Sequence, residues 1–435
     1  MSCQVGVDLP VSGRPMTRNF LKFATAAKWL AVLVAMAAIV GSVSAFFLGA
    51  LDAVTRVRFA SPWLLFFLPL AGLLIGWVDR NFGKSVRGGN NLLIDEIHQA
   101  GAGVPRRLVP LILLGTLVTH LFGGSAGREG TAVQMGGGIA ATFGRVLKLD
   151  AASVRILLMA GVAAGFGSVF GTPIAGAVFA LEVLVIGRLQ YDGLVPCFIA
   201  SVVADWVCRA WGIGHTHYEV AVFSGSIQAE LWLLGKVVLA GVAFGVVSLV
   251  FSEFSHRLRA AFERFIPRAE LRPVVGGVCV IGLFFLCGTS DYLGLGVIGN
   301  RPDALTLPAL FHSAEVPMSA WLWKLVFTVV TLSAGFKGGE VTPLFFIGAA
   351  LGNALAHVMG APLDLFAAMG FVAIFAGATN APLASILLGI ELFGAGNGLY
   401  IATACIVAYR FSGHSGIYSA QRLGIPKFRG VKCDK

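Results

Sequence analysis

Two glutamates stand in glycine-rich stretches of a chain that has few other charges. Glu129 lies within Gly123-Gly-Ser-Ala-Gly-Arg-Glu-Gly-Thr131, and Glu340 lies within Gly338-Gly-Glu-Val-Thr-Pro343. The segments 108–127 and 130–144 on either side of Glu129 contain no Asp, Glu, Lys or Arg. An ionisable side chain inside an apolar segment is costly to place, which marks it as a functional candidate. We therefore predict that these two carboxylates carry protons.

Hydrogen-bond donors occur in the same parts of the sequence. Thr172-Pro173 and Thr342-Pro343 each pair an N-cap residue with proline at the first helical position, which predicts helices that begin at these points. A helix N-terminus offers unpaired N–H groups and the positive end of its dipole, and both favour an anion. The predicted anion ligands are amide, hydroxyl and backbone N–H groups: Asn90, Asn91, Gly127, Gly130, Thr342 and Tyr418. For Asn90 and Asn91, the alternative is that their side chains cap a helix at a polar turn.

The composition is that of an integral membrane protein. Of the 435 residues 57% are hydrophobic and only 12% are charged, and the mean hydropathy is +0.84. Uncharged runs at 29–51, 156–181 and 365–390 reach the roughly 20 residues that a spanning helix needs. The segment 29–78 is predicted to hold two spans on either side of the polar stretch 52–58. Small residues four apart, which let helices approach closely, occur at Gly161/Gly165, Gly167/Gly171 and Gly348/Gly352.

The net charge of +10 comes from basic residues in short segments between apolar runs. They precede the first span, crowd the mid-chain connection at 257–272 and end the chain. This distribution predicts a multi-pass protein of the cell's inner membrane, with both termini and the central connection in the cytoplasm. No basic face with interleaved aromatic residues accompanies it, so we expect no nucleic-acid partner. The N-terminus lacks a short apolar core with a cleavage site, so the first span is expected to be retained.

No residue pattern typical of a metal site or of catalysis stands out. The seven cysteines form no CxxC pair, which argues against a disulfide framework and a zinc site. His215-Thr-His217 has no third candidate ligand nearby. A membrane-embedded enzyme or receptor that uses Arg128 and Glu129 is an alternative from another functional class, but it would lack a histidine, metal or nucleophile constellation. We expect neither a cofactor nor enzymatic activity.

The two halves of the chain resemble each other. Thr172 to Glu182 is similar to Ala381 to Glu391, with proline and glutamate nine residues apart in both. Pro382 follows Pro173 by 209 positions (382 − 173), and Glu340 follows Glu129 by 211 (340 − 129). Such symmetry with Gly/Pro-interrupted apolar segments points to a transporter whose site lies between repeats. The predicted organisation is a basic N-terminal segment 1–28, a first transmembrane repeat 29–220, a second repeat 221–421 and a short cytoplasmic tail 422–435.

The glycine-rich motifs resemble those of the CLC family of chloride channels and anion/proton antiporters. Gly127-Arg-Glu-Gly130 is similar to the family's gating-glutamate motif, Gly338 to Pro343 occupies the place of its second filter motif, and Tyr418 matches its filter tyrosine. Gly89-Asn-Asn-Leu stands where chloride-handling members have Gly-Ser-Gly-Ile-Pro. The resemblance covers nearly the whole chain. It implies an all-α, CLC-type fold of two inverted-topology repeats with discontinuous helices, assembled as a homodimer embedded in the lipid bilayer.

The chain departs from the chloride-handling pattern at three positions. Asn90 replaces the filter serine, Val341 replaces the usual phenylalanine between Glu340 and Thr342, and Val183 stands where chloride/proton exchangers have their internal proton glutamate. These changes are similar to the fluoride/proton antiporter branch of the family. Fluoride is small and strongly hydrated, so a site that removes its water must supply many close donors.

The sequence therefore predicts a fluoride/proton antiporter that exports fluoride from the cytoplasm and confers fluoride resistance. Glu129 would be its protonatable gate, and Glu340 would relay protons or help to bind the anion. A chloride/proton exchanger or chloride channel of the same fold is the alternative. Other titratable and aromatic residues are given structural roles. Glu182 and Glu391 are expected at helix ends, paired with groups such as Arg188. Arg128 and Lys337 are expected to turn towards carbonyls or carboxylates, and Phe345 and Phe346 to take part in ordinary packing.

Overall fold

The computed structural model describes residues 15–83, 86, 88–99, 103–216 and 218–428, and the side chains among them from residue 27 onward. The first part of the predicted segment 1–28, His217 and the tail beyond residue 428 lie outside the described residues. Within the described part there are fifteen α-helices. They are α1 (Pro15–Ala60), α2 (Leu68–Asn81), α3 (Asn90–His98), α4 (Leu108–Leu121), α5 (Glu129–Val146), α6 (Ala151–Phe170), α7 (Pro173–Glu182), α8 (Leu194–Ala210), α9 (Ile227–Phe265), α10 (Arg272–Cys287), α11 (Ala320–Ser333), α12 (Val341–Met359), α13 (Leu363–Thr379), α14 (Pro382–Phe393) and α15 (Gly398–Phe411).

Helices dominate the described part of the chain, and they are of two kinds. Seven helical stretches are long and apolar enough to cross a bilayer, judged by length and composition. Others, including α7 and α14, are apolar but only 10–17 residues long. Short apolar helices are tolerated inside a membrane only where other parts of the protein bury their ends. The two short strands β1 (Val185–Ile186) and β2 (Arg422–Leu423) pair in parallel and attach the C-terminal segment to the end of α7.

The first helix is longer at both ends than the sequence predicted. It begins at Pro15, inside the segment expected to precede the first span, and it continues through 52–58 to Ala60. The polar stretch does not break the helix, because Arg56 pairs with Asp52 one turn earlier and Thr55 bonds to the Leu51 carbonyl. The break comes instead at Ser61-Pro62, because a proline disfavours helical geometry in the residue that precedes it.

Two structural repeats are visible in the helix order. The helices α11, α12 and α13 begin 212 residues after α4, α5 and α6 respectively (320 − 108, 341 − 129 and 363 − 151). Glycines let α5 pack closely on α6 and α12 pack closely on α13. A Cβ at Gly136 would lie 2.1 Å from the Gly161 carbonyl oxygen, and a Cβ at Gly348 would lie 2.0 Å from the Gly370 carbonyl oxygen. The predicted small-residue pairs Gly161/Gly165 and Gly348/Gly352 are confirmed as helix contacts. Gly171 instead ends α6 in the left-handed conformation.

The repeats also cap each other's short helices. The carboxylate of Glu182, at the end of α7, accepts hydrogen bonds from the backbone N–H groups of Leu383 and Ala384 at 3.1 and 2.8 Å. Glu391, near the end of α14, accepts from Ile174 and Ala175 at 3.0 and 2.7 Å. The predicted structural role of both glutamates is thus supported, but the predicted partner Arg188 is wrong. Exposed N–H groups at a helix start attract a carboxylate more strongly than a distant arginine does.

We expect removal of either capping carboxylate to lower stability. Glu182→Ala or Glu391→Ala leaves two N–H groups at a helix start without their acceptor, which should cost about 1–2 kcal/mol, as for other lost helix caps. The melting temperature in detergent should fall in both variants. Glu253→Ala, which removes an exposed glutamate of α9, is the matched control and should change the melting temperature little. Equal melting temperatures for all three variants would contradict this role.

The close helix packing at Gly348 leads to a second prediction about stability. Gly348→Ala forces a methyl group against the backbone of α13 and should cost about 1–3 kcal/mol, the usual range for overpacking. Gly235→Ala on α9 is the control, because a Cβ there meets nothing within 4 Å. Thermal unfolding followed by size-exclusion chromatography should show a loss of folded protein at a lower temperature only for the Gly348 variant.

Candidate functional site

A pair of glycines joins the starts of α5 and α12. The N–H of Gly127 donates to the carbonyl oxygen of Gly339 at 2.6 Å, and the N–H of Gly339 donates to that of Gly127 at 2.8 Å. A Cβ at Gly127 would lie 2.9 Å from the Gly339 oxygen, so this approach requires glycine. The two helix N-termini, one from each repeat, consequently lie side by side at the centre of the protein. Because the Gly127 N–H is used in this bridge, the structure does not offer it to an anion, contrary to the prediction.

The side chain of Glu129 lies between these two helix starts. It is the first residue of α5 and is only 1% exposed. Its Oε2 accepts hydrogen bonds from the Thr342 backbone N–H at 3.1 Å and from the Arg128 N–H at 3.2 Å, and it also accepts a short hydrogen bond from the Thr342 hydroxyl. Donors around a carboxylate at a helix N-terminus are the donors that a free anion would use. The carboxylate of Glu129 therefore occupies donors of a kind that a free anion could also use.

The two predicted helix starts differ in geometry. The helix α7 begins at Pro173 with Thr172 as its N-cap, as predicted. The second prediction is wrong: Glu340 is the N-cap of α12, so Thr342 is its second residue and Pro343 its third. Proline is tolerated there because the N–H groups of the first turn have no partner within the helix. One consequence is that the Thr342 hydroxyl is free to bond to Glu129 instead of capping its own helix.

A cavity of about 270 Å³, which we call the larger cavity, brings together three of the six predicted anion ligands. Its wall includes Asn90, Asn91, Glu340 and Tyr418, together with Gln134 from α5. A Cβ built at Gly130 would lie 3.2 Å from the Asn90 amide nitrogen and 3.9 Å from Glu340 Oε2. Gly130 thus keeps a narrow space open between the two side chains. The oxygen Oδ1 of Asn90 is buried and has no hydrogen-bond partner among the described residues.

The C-terminal segment positions Tyr418 in this cavity. The N–H of Ile417 donates to the Ala378 carbonyl at 2.8 Å, and Asn91 Oδ1 accepts from the Ala420 N–H at 3.1 Å. Asn91 therefore fixes the tyrosine segment in addition to lining the cavity. Tyr418 itself is 5% exposed. Beside it, Val183 lies in a small apolar cavity that Asn90 and Tyr418 also line.

The mouth of the larger cavity is lined by charged side chains. Among the described residues that line it, Arg259, Arg272 and Lys337 face Asp79, Glu263 and Glu340. Lys337 forms an ion pair with Asp79 at 2.6 Å, which confirms that it turns to a carboxylate. With all six groups ionised the described wall is neutral, and protonation of Glu340 leaves it with one net positive charge.

A second cavity of about 20 Å³, the smaller cavity, lies beside Glu129. Arg128, Glu129 and Thr342 line it together with His215 and Tyr218 from the segment between α8 and α9. Arg128 Nε lies 3.5 Å from Glu129 Oε1, so the arginine remains beside the carboxylate. Glu129 lines the smaller cavity, and the next residue, Gly130, adjoins Asn90 and Glu340 of the larger cavity. No described residue lines both cavities, so the two are separate in this conformation.

Aromatic rings form much of the wall of the smaller cavity. Phe345 stacks on Phe371 with ring centroids 3.9 Å apart and an interplanar angle of 12°, and both rings line the cavity. Phe346 is fully buried and lies under the ammonium group of Lys324, 5.4 Å from its ring centroid. The prediction of ordinary packing therefore holds for Phe346 better than for Phe345, which combines packing with lining the cavity.

Sequence reasoning missed Gln134, His215 and Tyr218. Gln134 had one signal, since it is the one amide in the uncharged run after Glu129 and lies on the same helix. The other two had no signal pointing to Glu129, because they lie in a polar loop more than 80 positions later in the chain. Among the described residues no group of three His, Cys, Asp or Glu side chains could hold a metal ion.

Comparison with known proteins decides the family. Residues 71–413 match the family model described as voltage gated chloride channel, which covers more than half of the chain. The chain belongs to the CLC family. A CLC relative from Pseudomonas syringae pv. tomato, named chloride/fluoride channel protein, is 49% identical over 403 residues, covering 92% of this chain and 88% of its own.

Solved CLC structures support the fold. A crystal structure of a CLC-type fluoride/proton antiporter superposes with a TM-score of 0.86 at 34% identity, and the match covers 92% of this chain and 98% of that one. A slow cyanobacterial Cl⁻/H⁺ antiporter gives a TM-score of 0.74 at 20% identity, covering 90% of this chain and 96% of that one, which shows the common fold. The predicted CLC-type fold of two inverted repeats with discontinuous helices is confirmed.

Proposed function

We propose that this CLC protein is an antiporter that exports fluoride from the cytoplasm in exchange for protons and so confers fluoride resistance. The observation that carries the proposal is the position of Glu129, whose buried carboxylate accepts from donors of the kind that an anion uses and lines the smaller cavity, one residue from Gly130, which adjoins the larger cavity. The named functions of the similar Pseudomonas protein and of the similar fluoride/proton antiporter support it. A transporter rather than an enzyme accounts for these features.

The same donors can serve Glu129 and an anion in turn. Protonation of Glu129 removes its negative charge, and a neutral carboxyl binds less strongly to the Thr342 N–H and to the helix dipole of α12. An anion from the larger cavity can then take the place of the carboxylate. When the anion leaves, Glu129 releases its proton and returns. One group thus competes with the anion and carries the proton, which couples the two movements.

We assign the second proton-dependent step to Glu340. It lies in the larger cavity close to Asn90, where Gly130 leaves room between them. Because its protonation gives the described wall a net positive charge, anion entry and proton binding favour each other there. Coordination by Asn90, Tyr418 and the Thr342 hydroxyl would supply the dense donor set that fluoride needs on losing its water. Gln134 can add a further amide.

The charge distribution supports an orientation. The end of α9 and the start of α10 carry the basic cluster 257–272, which reaches the larger cavity through Arg259 and Arg272. The positive-inside rule places this cavity and the Tyr418 segment in the cytoplasm. The helix α10 starts in this basic cluster and leads away from it towards Gly294, which lies next to Arg58 at the end of α1. We therefore propose that α1 ends on the side opposite to the basic cluster and begins on the cytoplasmic side. We propose a multi-pass protein of the inner (plasma) membrane with both ends cytoplasmic, acting as a homodimer.

Reconstitution into liposomes tests the function. A fluoride gradient directed out of the liposomes should drive proton uptake, measured with a pH-sensitive dye while an electrode records fluoride. A chloride gradient of the same size should drive much less. Protein-free liposomes give the background. Chloride exchange as fast as fluoride exchange would favour the alternative, a chloride/proton exchanger, whereas fluoride efflux without proton movement would favour a channel.

A further inference from the structure

His215 faces the smaller cavity from a part of the chain that the mechanism above does not use. It lies in the segment between α8 and α9 and lines the cavity together with Arg128 and Glu129. Its ring rests on Gly171, where a Cβ would lie only 2.5 Å from His215 Cδ2. The contact is possible because Gly171, which ends α6 with φ of 71°, carries no side chain. The backbone thus holds the imidazole against the wall of the cavity.

The imidazole is largely buried, and its ring nitrogens lack well-aligned hydrogen bonds. Its side chain is 12% exposed, and neither ring nitrogen forms a hydrogen bond of good geometry with another described protein group, although the Val169 backbone is close enough to raise the pKa of the ring. Buried polar groups are nearly always satisfied by protein or water. The smaller cavity, at about 20 Å³, has room for roughly one water molecule. One water between His215 and Glu129 would satisfy the ring and connect the two titratable groups.

Asp205 supplies the counter-charge that a protonated histidine requires. Its buried carboxylate lies on α8, 3.7 Å from His215 Nε2 and within a bidentate ion pair with Arg209, whose Nε donates at 3.0 Å. The charged groups around the ring are therefore Asp205 and Arg209 from α8, Arg128 before α5, and Glu129 on α5. Burial lowers the pKa of His215, Asp205 raises it in part, and the two arginines lower it further.

We propose that His215 delivers protons to Glu129 from the smaller-cavity side, with Asp205 as its counter-charge. This inference rests on the proposed antiport. The unprotonated ring nitrogen accepts a proton that arrives from water on the outer side, which gives an imidazolium stabilised by Asp205. A ring N–H of the imidazolium then donates one proton, through the water in the cavity, to the Glu129 carboxylate. The imidazole returns to its neutral form, Glu129 becomes uncharged, and no other bond is made or broken.

The test compares His215→Ala with wild type in reconstituted liposomes at several external pH values. Fluoride-driven proton transport should fall about tenfold or more near pH 8, where a missing proton donor limits the rate, and less near pH 5, where protons are abundant. The number of fluoride ions exchanged per proton should not change. Imidazole added to the outer solution should restore transport by filling the space that the ring leaves above Gly171.

Two further variants separate proton delivery from packing. His215→Gln keeps the volume of the side chain without its acid–base chemistry and should show the same pH-dependent loss. His312→Gln is the matched control, because His312 is exposed and does not line the cavity. A wild-type pH profile in both His215 variants, or a loss that is equal at every pH and insensitive to imidazole, would overturn the proposal. If wild type itself moves no protons with fluoride, the antiport assignment fails instead.

Discussion

Glu129→Gln should abolish fluoride-driven proton uptake, lowering it at least a hundredfold to the level of protein-free liposomes. Glutamine has nearly the same shape and can still accept a hydrogen bond from the Thr342 N–H, but it cannot bind and release a proton. The expected loss is large because this one carboxylate both carries the proton and competes with the anion. The measurement uses a pH-sensitive dye inside liposomes that hold a fluoride gradient.

Glu253→Gln provides the control for this experiment, since Glu253 lies on the exposed surface of α9 and pairs only with Arg257. It should transport like wild type. Folding of both variants is checked by size-exclusion chromatography in detergent. Coupled exchange that survives in the Glu129 variant at the wild-type rate would remove this residue from the mechanism, whatever its position beside the smaller cavity.

Glu340→Gln is expected to have the second-largest effect. A neutral glutamine gives the described wall of the larger cavity a permanent net positive charge, so an anion can enter regardless of the pH on that side. We expect coupled exchange to fall at least tenfold and the remaining transport to lose most of its dependence on the pH at the larger cavity. Transport rates measured while this pH is varied and the other side is held constant give the result.

The matched variant is Glu263→Gln, because Glu263 lies at the same cavity mouth but is more exposed and faces Arg272 at 3.7 Å. Its removal changes the local charge by the same amount but takes away no group near Asn90. It should keep the wild-type pH dependence. If the two variants behave alike, the charge of the wall rather than the position of Glu340 controls transport, and the proposed relay is wrong.

Local patterns in the sequence predicted the features that depend on local chemistry. Uncharged runs indicated the membrane spans, and the isolated charges of Glu129 and Glu340 indicated the centre of the site. The motif at Thr172-Pro173 predicted the start of α7 correctly. The similar motif at Thr342-Pro343 failed because proline fits anywhere in the first turn of a helix, so the pattern defines a start only to within about one turn.

Contacts between distant parts of the chain could not be predicted in the same way. Glu182 and Glu391 each had a recognisable position at a helix end, but nothing in the sequence near them identifies N–H groups some 200 positions away as their partners. His215 contacts the cavity only because α6 ends at a glycine against which its ring can lie. These contacts depend on how the two repeats pack against each other, and no short stretch of the sequence specifies that packing.

The reciprocal caps have a consequence for biosynthesis. The start of α7 needs the carboxylate of Glu391, which the ribosome adds 218 residues after Pro173 (391 − 173). Until then, the first half must wait in the membrane with N–H groups exposed at the start of a short helix and with the carboxylate of Glu182 unpaired. We therefore expect each half made alone to be less stable than the whole chain and more sensitive to proteases.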